Sequence, residues 1–272
     1  MHPVALTIAG SDPSGGAGAQ ADLKTFHQHG VYGAAAISLI TVQNTRGCDD
    51  VVVLAADLVR AQMEAVLLDL PVRVVKTGAL GSAENVSAVA SVLRPHGLPL
   101  IVDPVRVATV GTQTGLLRDE AREVVLRELA PLCTLLTPNM REAAWLTGRE
   151  VESLAQMRDA AHALVDLGAR AVLVKGGHLA FTSDHPAIDV LVLDGSLHEL
   201  HAERVDTPAG HGTGCSLASA IAARLALGET LEDAVILGKE WVRRGLLSAP
   251  PLGGGAWPID HFALVPEGKR AR

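Results

Sequence analysis

Val4-Ala5-Leu6-Thr7-Ile8-Ala9 runs straight into Gly10-Ser11-Asp12-Pro13-Ser14-Gly15-Gly16-Ala17-Gly18, and a helical pattern follows through about His27. A short apolar run, a glycine-rich turn and a helix make the first half of a βαβ unit. Working outward, the alternation continues almost from end to end. Strand-like runs recur at Ala34–Ile40, Val51–Leu54, Val72–Val75, Leu98–Val102, Thr134–Thr137, Ala171–Val174 and Ile188–Leu193. Helix-length segments lie between most of them. Asp57–Leu68 puts Leu58, Ala61, Ala65 and Leu68 on one face, Ser82–Leu93 opens on Ser82 as N-cap, and Leu154–Leu167 repeats apolar residues at three and four. The pattern predicts an α/β fold with a central, mostly parallel sheet, right-handed crossovers and helices on both faces. Ligands of such sheets sit beyond the carboxyl ends of the strands, so the chemistry belongs in the loops that follow them.

Composition narrows the class. The 272 residues are 48% hydrophobic and 3% aromatic with 27 glycines, which suits tightly packed small-residue helices joined by glycine turns. A chain this long buries most of its surface without disulfide or metal staples. The net charge of -7 argues against nucleic-acid binding through phosphate neutralisation. No long apolar stretch is free of charge or Gly/Pro punctuation, so no membrane span is expected. The start lacks a basic segment followed by an apolar one, so no secretory signal is expected. Cys48, Cys133 and Cys215 are far apart and odd in number, which points to free thiols and a cytoplasmic location. The pairs His27/His29 and His198/His201 lack Cys or carboxylate neighbours at ligand spacing and read as surface or capping residues. No repeat or shift in composition divides the chain, so one domain over 1–272 is expected, with a flexible tail from about 266–272. The Gly/Pro-rich stretch Pro250–Pro258 reads equally well as a linker to that tail or as a loop over a site.

The opening glycine loop approaches two phosphate motifs and matches neither. Gly10 and Gly15 have Walker spacing, but Gly16-Ala17 stands where Lys-Ser/Thr is required. Gly16-x-Gly18-x-x-Ala21 imitates the dinucleotide fingerprint too far beyond the strand, and the next strand ends in Thr41-Val42-Gln43-Asn44, without a ribose-binding acid. What remains is a loop that lets backbone approach a small ligand. Asp22, one or two turns into the helix, reads locally as a solvated helix residue. Gln43 can donate and accept through one amide, which suits a heteroaromatic ring, although a turn cluster explains it equally well.

Further strand ends carry charge. Val102-Asp103-Pro104-Val105 places a carboxylate that could hold a metal-bound phosphate or serve a turn. Thr137-Pro138-Asn139-Met140-Arg141-Glu142 fits a capping box formed by Asn139 and Glu142. Val174-Lys175-Gly176-Gly177 adds a lysine and a glycine turn. The strongest local signal is Gly210-His211-Gly212-Thr213-Gly214-Cys215, followed by Ser216–Leu227, in which Arg224 is the sole charge. That helix must be buried, and its amino end is an anion site of free N–H groups. A cysteine there should have a lowered pKa and act as a partial thiolate, taking a proton from an attacking alcohol. A buried structural cysteine is the alternative.

Together these segments, with Gln20-Ala21-Asp22-Leu23-Lys24-Thr25-Phe26, Gly30-Val31-Tyr32-Gly33 and Lys76-Thr77-Gly78-Ala79-Leu80, resemble the hydroxymethylpyrimidine/phosphomethylpyrimidine kinases of thiamine biosynthesis. These belong to the ribokinase-like superfamily, whose three-layer fold the resemblance implies. It further implies a cytoplasmic, homodimeric kinase using ATP and Mg2+ to phosphorylate 4-amino-5-hydroxymethyl-2-methylpyrimidine and then its monophosphate. Gly10, Asp22, Gln43, Ala79 and Val105 would bind the pyrimidine. Cys215 would be the base, and Gly212, Thr213 and Gly214 the anion hole. Asp103 and Glu142 would arrange the metal, with Asn139, Lys175, Gly177 and Thr207 near the nucleotide. Related sugar kinases carry aspartate at the Cys215 position.

Three departures from the family pattern stand out. Arg106-Val107-Ala108-Thr109-Val110-Gly111 replaces Met-Val-Ala-Lys-Ser-Gly, removing a lysine and a serine from a lid-like loop and adding Arg106 as a substitute phosphate contact. Pro208-Ala209-Gly210 replaces Lys-Asn-Thr before His211. Ala79 stands for a common methionine and widens the ring pocket, which favours pyridoxal as an alternative acceptor. A weakly active pyrimidine-binding or regulatory protein is the reading from another class.

Overall fold

The computed structural model describes residues 2–107, 115–177 and 186–267. The opening run forms β1 (Val4–Ser11), and the glycine turn leads into α1 (Gly18–Gln28). Then come β2 (Tyr32–Asn44), β3 (Gly47–Val53), α2 (Ala56–Asp69), β4 (Val72–Thr77), α3 (Ala83–Leu93) and β5 (Leu100–Val102). A short helix α4 (Ala121–Val124) continues through a π turn at Val125–Leu129 and a 3-10 turn at Ala130–Leu132. The chain proceeds through β6 (Leu135–Leu136), α5 (Met140–Thr147), α6 (Leu154–Asp166), β7 (Val172–Val174), β8 (Ala187–Leu193) and β9 (Ser196–Ala202). It ends with β10 (Ala209–His211), α7 (Thr213–Ala226), α8 (Leu231–Leu247) and β11 (Trp257–Pro258).

Nine strands form one sheet in the order β3-β2-β1-β4-β5-β6-β7-β8-β9. The six from β2 to β7 are parallel, and the strands at both margins run antiparallel. The chain leaves β1 toward β2 and returns past it to β4, which makes the β1/β4 boundary the switch point where a crevice opens. Side chains along each central strand alternate between two cores. Ala5, Val74, Ile101, Leu135 and Leu173 face a layer built from α1, α7 and α8. Leu6, Val75, Val102, Leu136 and Val174 face α2, α3, α5, α6 and the 121–132 helix. Burial on both faces explains why these strands read as continuous apolar runs.

The α7 helix is the buried one the sequence demands, with only its first turn and Leu225 partly exposed. Residues Ser216–Arg224 are all buried, and Arg224 is neutralised by Glu229 at 2.9 Å. Alanines permit this closeness, and Gly238 of α8 lies against Ile221 with no room to spare.

Several features depart from the sequence reading. β2 runs four residues beyond Ile40, keeping Gln43 at the strand end as expected, and turns at 45–46 into β3, which starts at Gly47, four residues ahead of the expected Val51. The stretch before Pro258 is no free linker: Gly255 and Ala256 donate to Thr45, and β11 pairs with β10 beside the site. Pro266, in the expected tail, accepts a bond from Arg224 at 2.7 Å, while 268–272 lie outside the described residues.

Candidate active site

The carboxyl ends of five parallel strands bring the predicted residues together. Gly10 closes β1, Ala79 follows β4, Asp103 follows β5, Asn139 follows β6 and Lys175 follows β7. With Gly212–Cys215 from the start of α7, they line one cleft of about 490 Å³. Gln43, Val105, Glu142, Gly177 and Thr207 are also in its wall, so every predicted site residue but one reaches it. Asp22 is the exception. It is fully buried beneath the floor, where Thr7, Lys76 and Ser219 occupy its carboxylate.

The α7 end of the cleft presents uncapped backbone N–H groups. Gly212 has φ +75, and a Cβ there would run into the Gly16 carbonyl, so only glycine allows the two loops to meet. Gly212 offers no side-chain cap, which leaves the first N–H groups of α7 free for a ligand. Opposite them stands Lys175, 2.7 Å from Asp103 Oδ1. A Cβ on Gly214 would come within 3.0 Å of Lys175 Nζ and 3.9 Å of Asp103 Oδ2, so these charges face the helix end directly.

The predicted capping box is present: Glu142 N–H donates to Asn139 Oδ1 at 2.9 Å, and Asn139 N–H to Glu142 Oε2 at 2.7 Å. Capping and a place in the site are compatible, since Glu142 still lines the cleft. Burial pushes the Glu142 carboxyl up to about 7; Lys175 opposes this and Asp103 adds to it. Asp103 Oδ2 is buried without a hydrogen-bond partner. Two carboxylates beside one lysine, with an Asp103 oxygen unsatisfied, suit a divalent cation, which they would hold together with ligand phosphate oxygens. Among the described residues no group of three or more His, Cys, Asp or Glu could hold a metal unaided.

Cys215 lies in the cleft floor, partly exposed, but not as the thiolate the helix end suggests. Burial pushes its thiol up to about 11, and Asp103 and Asp22 add repulsion; Lys76 and the Gly18 amide pull the other way without prevailing. Loss of solvent outweighs the favourable Lys76 and Gly18 partners here.

The other end of the cleft is apolar. Leu39, Ala79 and Leu116 pack with Val51, Val53 and Val105. Gly10 lies flat against Leu39, where any side chain would collide. The Gln43 amide closes the polar side, 3.4 Å from His211 Nε2. Arg106 does not enter the cleft. Its guanidinium pairs with Asp119 at 2.8 Å and stacks over Trp145, so the substitute phosphate contact is corrected to a surface brace. The changed lid positions 108–111 lie outside the described residues.

Sequence reasoning gave no role to three structured groups. His211 is fully buried and hydrogen-bonded to Asp12 at 2.7 Å; Asp12 also accepts from Ser14 and Ala17. Burial opposes the Asp12 charge, yet His211 and Ser14 hold its carboxyl below the usual range. At the far end Asp189 accepts from the Gly176 amide at 2.8 Å and from Lys239 at 2.6 Å. Arg204 donates to the Gly177 carbonyl at 3.0 Å. A histidine inside a glycine run was the one visible signal among these.

Comparison with known proteins places this geometry. The family described as phosphomethylpyrimidine kinase matches residues 12–260. A hydroxymethylpyrimidine/phosphomethylpyrimidine kinase of Rhizobium meliloti (strain 1021) is 46% identical over 265 residues, 96% of this chain and 98% of its own. Its counterpart in Mycobacterium tuberculosis (strain ATCC 25618 / H37Rv) is 45% identical over 260 residues, 95% and 93% of the two chains. Among solved structures, an ADP complex of Bacillus subtilis pyridoxal kinase aligns with a TM-score of 0.87 at 34% identity, covering 97% of this chain and 99% of that one. Phosphomethylpyrimidine kinase from Clostridium difficile 630 aligns with a TM-score of 0.75 at 38% identity, covering 89% and 98%. Sequence, fold and cleft agree, and the chain belongs to the phosphomethylpyrimidine kinase family.

Proposed function

We propose that this protein transfers the γ-phosphoryl group of ATP to the hydroxymethyl oxygen of 4-amino-5-hydroxymethyl-2-methylpyrimidine, and then phosphorylates the monophosphate. The observation that carries the reading is the single cleft that joins an apolar, Gln43-edged ring pocket to the free amides of α7 and the Lys175–Asp103 pair. Relatives that align over almost the whole chain carry this activity in their names, and a Staphylococcus aureus pyridoxal kinase of the same fold holds AMP-PCP.

In this reading Gly10, Leu39, Ala79 and Val105 sandwich the ring, and Gln43 reads its nitrogen edge. The substrate oxygen attacks the γ-phosphorus while the bond to the β–γ bridging oxygen breaks, releasing ADP. The hydroxyl proton passes to Cys215 in the small deprotonated fraction that its raised pKa leaves at neutrality, so this step speeds up as pH rises. Gly212, Thr213 and Gly214 hold the transferring charge with backbone amides. Asp103 and Glu142 would hold Mg2+, which supplies charge neutralisation at the phosphates. Asn139, Lys175, Gly177 and Thr207 contact the nucleotide. We extend the reading to a cytoplasmic homodimer, for which the exposed apolar ribbon of Tyr32, Ile40, Val42 and Val52 offers a surface.

The test supplies ATP, magnesium and each alcohol to the purified protein and weighs the products. Hydroxymethylpyrimidine mono- and diphosphate are expected. Tight pyrimidine binding without product would defeat the kinase reading. Pyridoxal is the second acceptor to try, because Ala79 leaves room beside Leu39 and Leu116; product from pyridoxal alone would overturn the substrate assignment.

A further inference from the structure

Asp22 shares no wall of the cleft, yet the most complete polar network in the interior is built around it. Its Oδ1 accepts from Ser219 Oγ at 2.6 Å and Lys76 Nζ at 2.9 Å; its Oδ2 accepts from Thr7 Oγ1 at 2.6 Å and Lys76 Nζ at 2.8 Å. All four residues are fully buried. They come from α1, α7, β1 and β4, so the network ties two helices to two central strands. A buried pair of this kind contributes little net stability beside well-packed apolar residues, so stability alone does not account for it.

Its placement does. Gly18 begins α1 and Asp22 lies four residues on; Cys215 lies in the first turn of α7 and Ser219 four residues on. The helices therefore meet in two rungs one turn apart. The upper rung sets the Gly18 amide beside Cys215, where it favours the thiolate, and the lower is Asp22 with Ser219. The charged groups facing Cys215 are Lys76 from β4, Asp22 from α1, and Asp103 and Lys175 from the loops after β5 and β7.

We propose that Asp22 and Lys76 are positioning residues for phosphoryl transfer: with Thr7 and Ser219 they clamp α1 to α7 beneath the Gly18–Cys215 contact, fixing the thiol and the α7 amides against the transferring group. This rests on the reading of Cys215 and α7 as the transfer site.

The test uses the whole enzyme with Ser219→Ala and with the charge-neutral double variant Asp22→Asn/Lys76→Met. Ser219→Ala should lower kcat by about tenfold and the double variant by about 100-fold, with the ATP KM held within about twofold. Alkylation of Cys215 by iodoacetamide, read by peptide mass, should change rate by about threefold or more in the same variants. Cys48 and Cys133 are fully buried and leave that readout clean. A folded variant with wild-type kcat, or with altered kcat and unchanged alkylation, overturns the proposal. Should the double variant fail to fold, Ser219→Ala decides alone. Wild-type turnover in Cys215→Ala would defeat the base assignment, a result distinct from wild-type turnover in Ser219→Ala.

Discussion

His211 Nε2 lies 2.7 Å from Asp12 Oδ2, joining the loop after β1 to the residue that enters α7. The two side chains are 1% and 4% exposed. Asp12 also gathers the Ser14 and Ala17 amides, so one carboxylate shapes the whole glycine loop and anchors it to the start of α7. Asp12→Ala would strand those donors and take from a buried imidazole its shortest partner. It should cost about 3 kcal/mol of stability and raise the KM for the acceptor alcohol more than that for ATP. Urea unfolding and steady-state kinetics check it; a loss under about 1 kcal/mol with unchanged KM would remove the loop-anchoring role.

Cys215→Ala should keep nucleotide binding and lose turnover by about 100-fold or more. The pH profile sharpens this. As the proposed base, Cys215 is needed deprotonated, and its thiol is raised to about 11, so activity should climb from neutrality into the alkaline range instead of levelling near 7. A flat profile above pH 7 in single-turnover experiments would show that proton removal by Cys215 does not limit the chemical step.

Much of this was legible in the sequence, and the failures have physical causes. Strands buried on both faces announce themselves as apolar runs, so the parallel core was readable. β9 was not: in Ser196-Leu197-His198-Glu199-Leu200-His201-Ala202 only Leu197 and Leu200 pack, at a spacing that breaks strand alternation. The loops that form the site were found because glycine and charge cluster at strand ends. Asp22 was misplaced because local pattern cannot reveal that Lys76, fifty-four residues on, will neutralise it in the interior. The raised Cys215 pKa escaped for the same reason, since desolvation comes from tertiary packing that a helix-end argument does not contain.

Asp103→Asn should raise the half-saturating magnesium concentration by about tenfold or more, since it removes one of the two carboxylates proposed to hold the ion. Glu142 adds a pH signature. Its carboxyl is raised to about 7, so a proton competes with the metal below that point. The magnesium requirement should therefore rise as pH falls from about 8 to 6, and Glu142→Gln should abolish that slope. Activity titrated with magnesium at several pH values measures both. An unchanged requirement in Asp103→Asn would move the ion elsewhere.

Acid should destabilise the protein through two histidines that flank one tryptophan. Trp241 is fully buried, with His29 4.9 Å from its ring in a T-shaped contact and His261 at 6.3 Å. Burial lowers both imidazoles to about 4; Arg224 adds to this for His29 and Lys24 for His261. Each is neutral when folded and takes up a proton near 6.5 when unfolded, so the unfolded state binds more protons between those values. Their stabilisation is complete above about pH 6.5, falls as pH drops toward 4, and amounts at most to roughly 3 kcal/mol apiece. His261 holds Ser216 at the start of α7, so its protonation should loosen the helix that carries the anion site. Thermal unfolding across pH 4 to 7 should show a steep loss that His29→Gln and His261→Gln each reduce. Equal slopes in the wild type and both variants would assign the acid lability to the carboxylates instead.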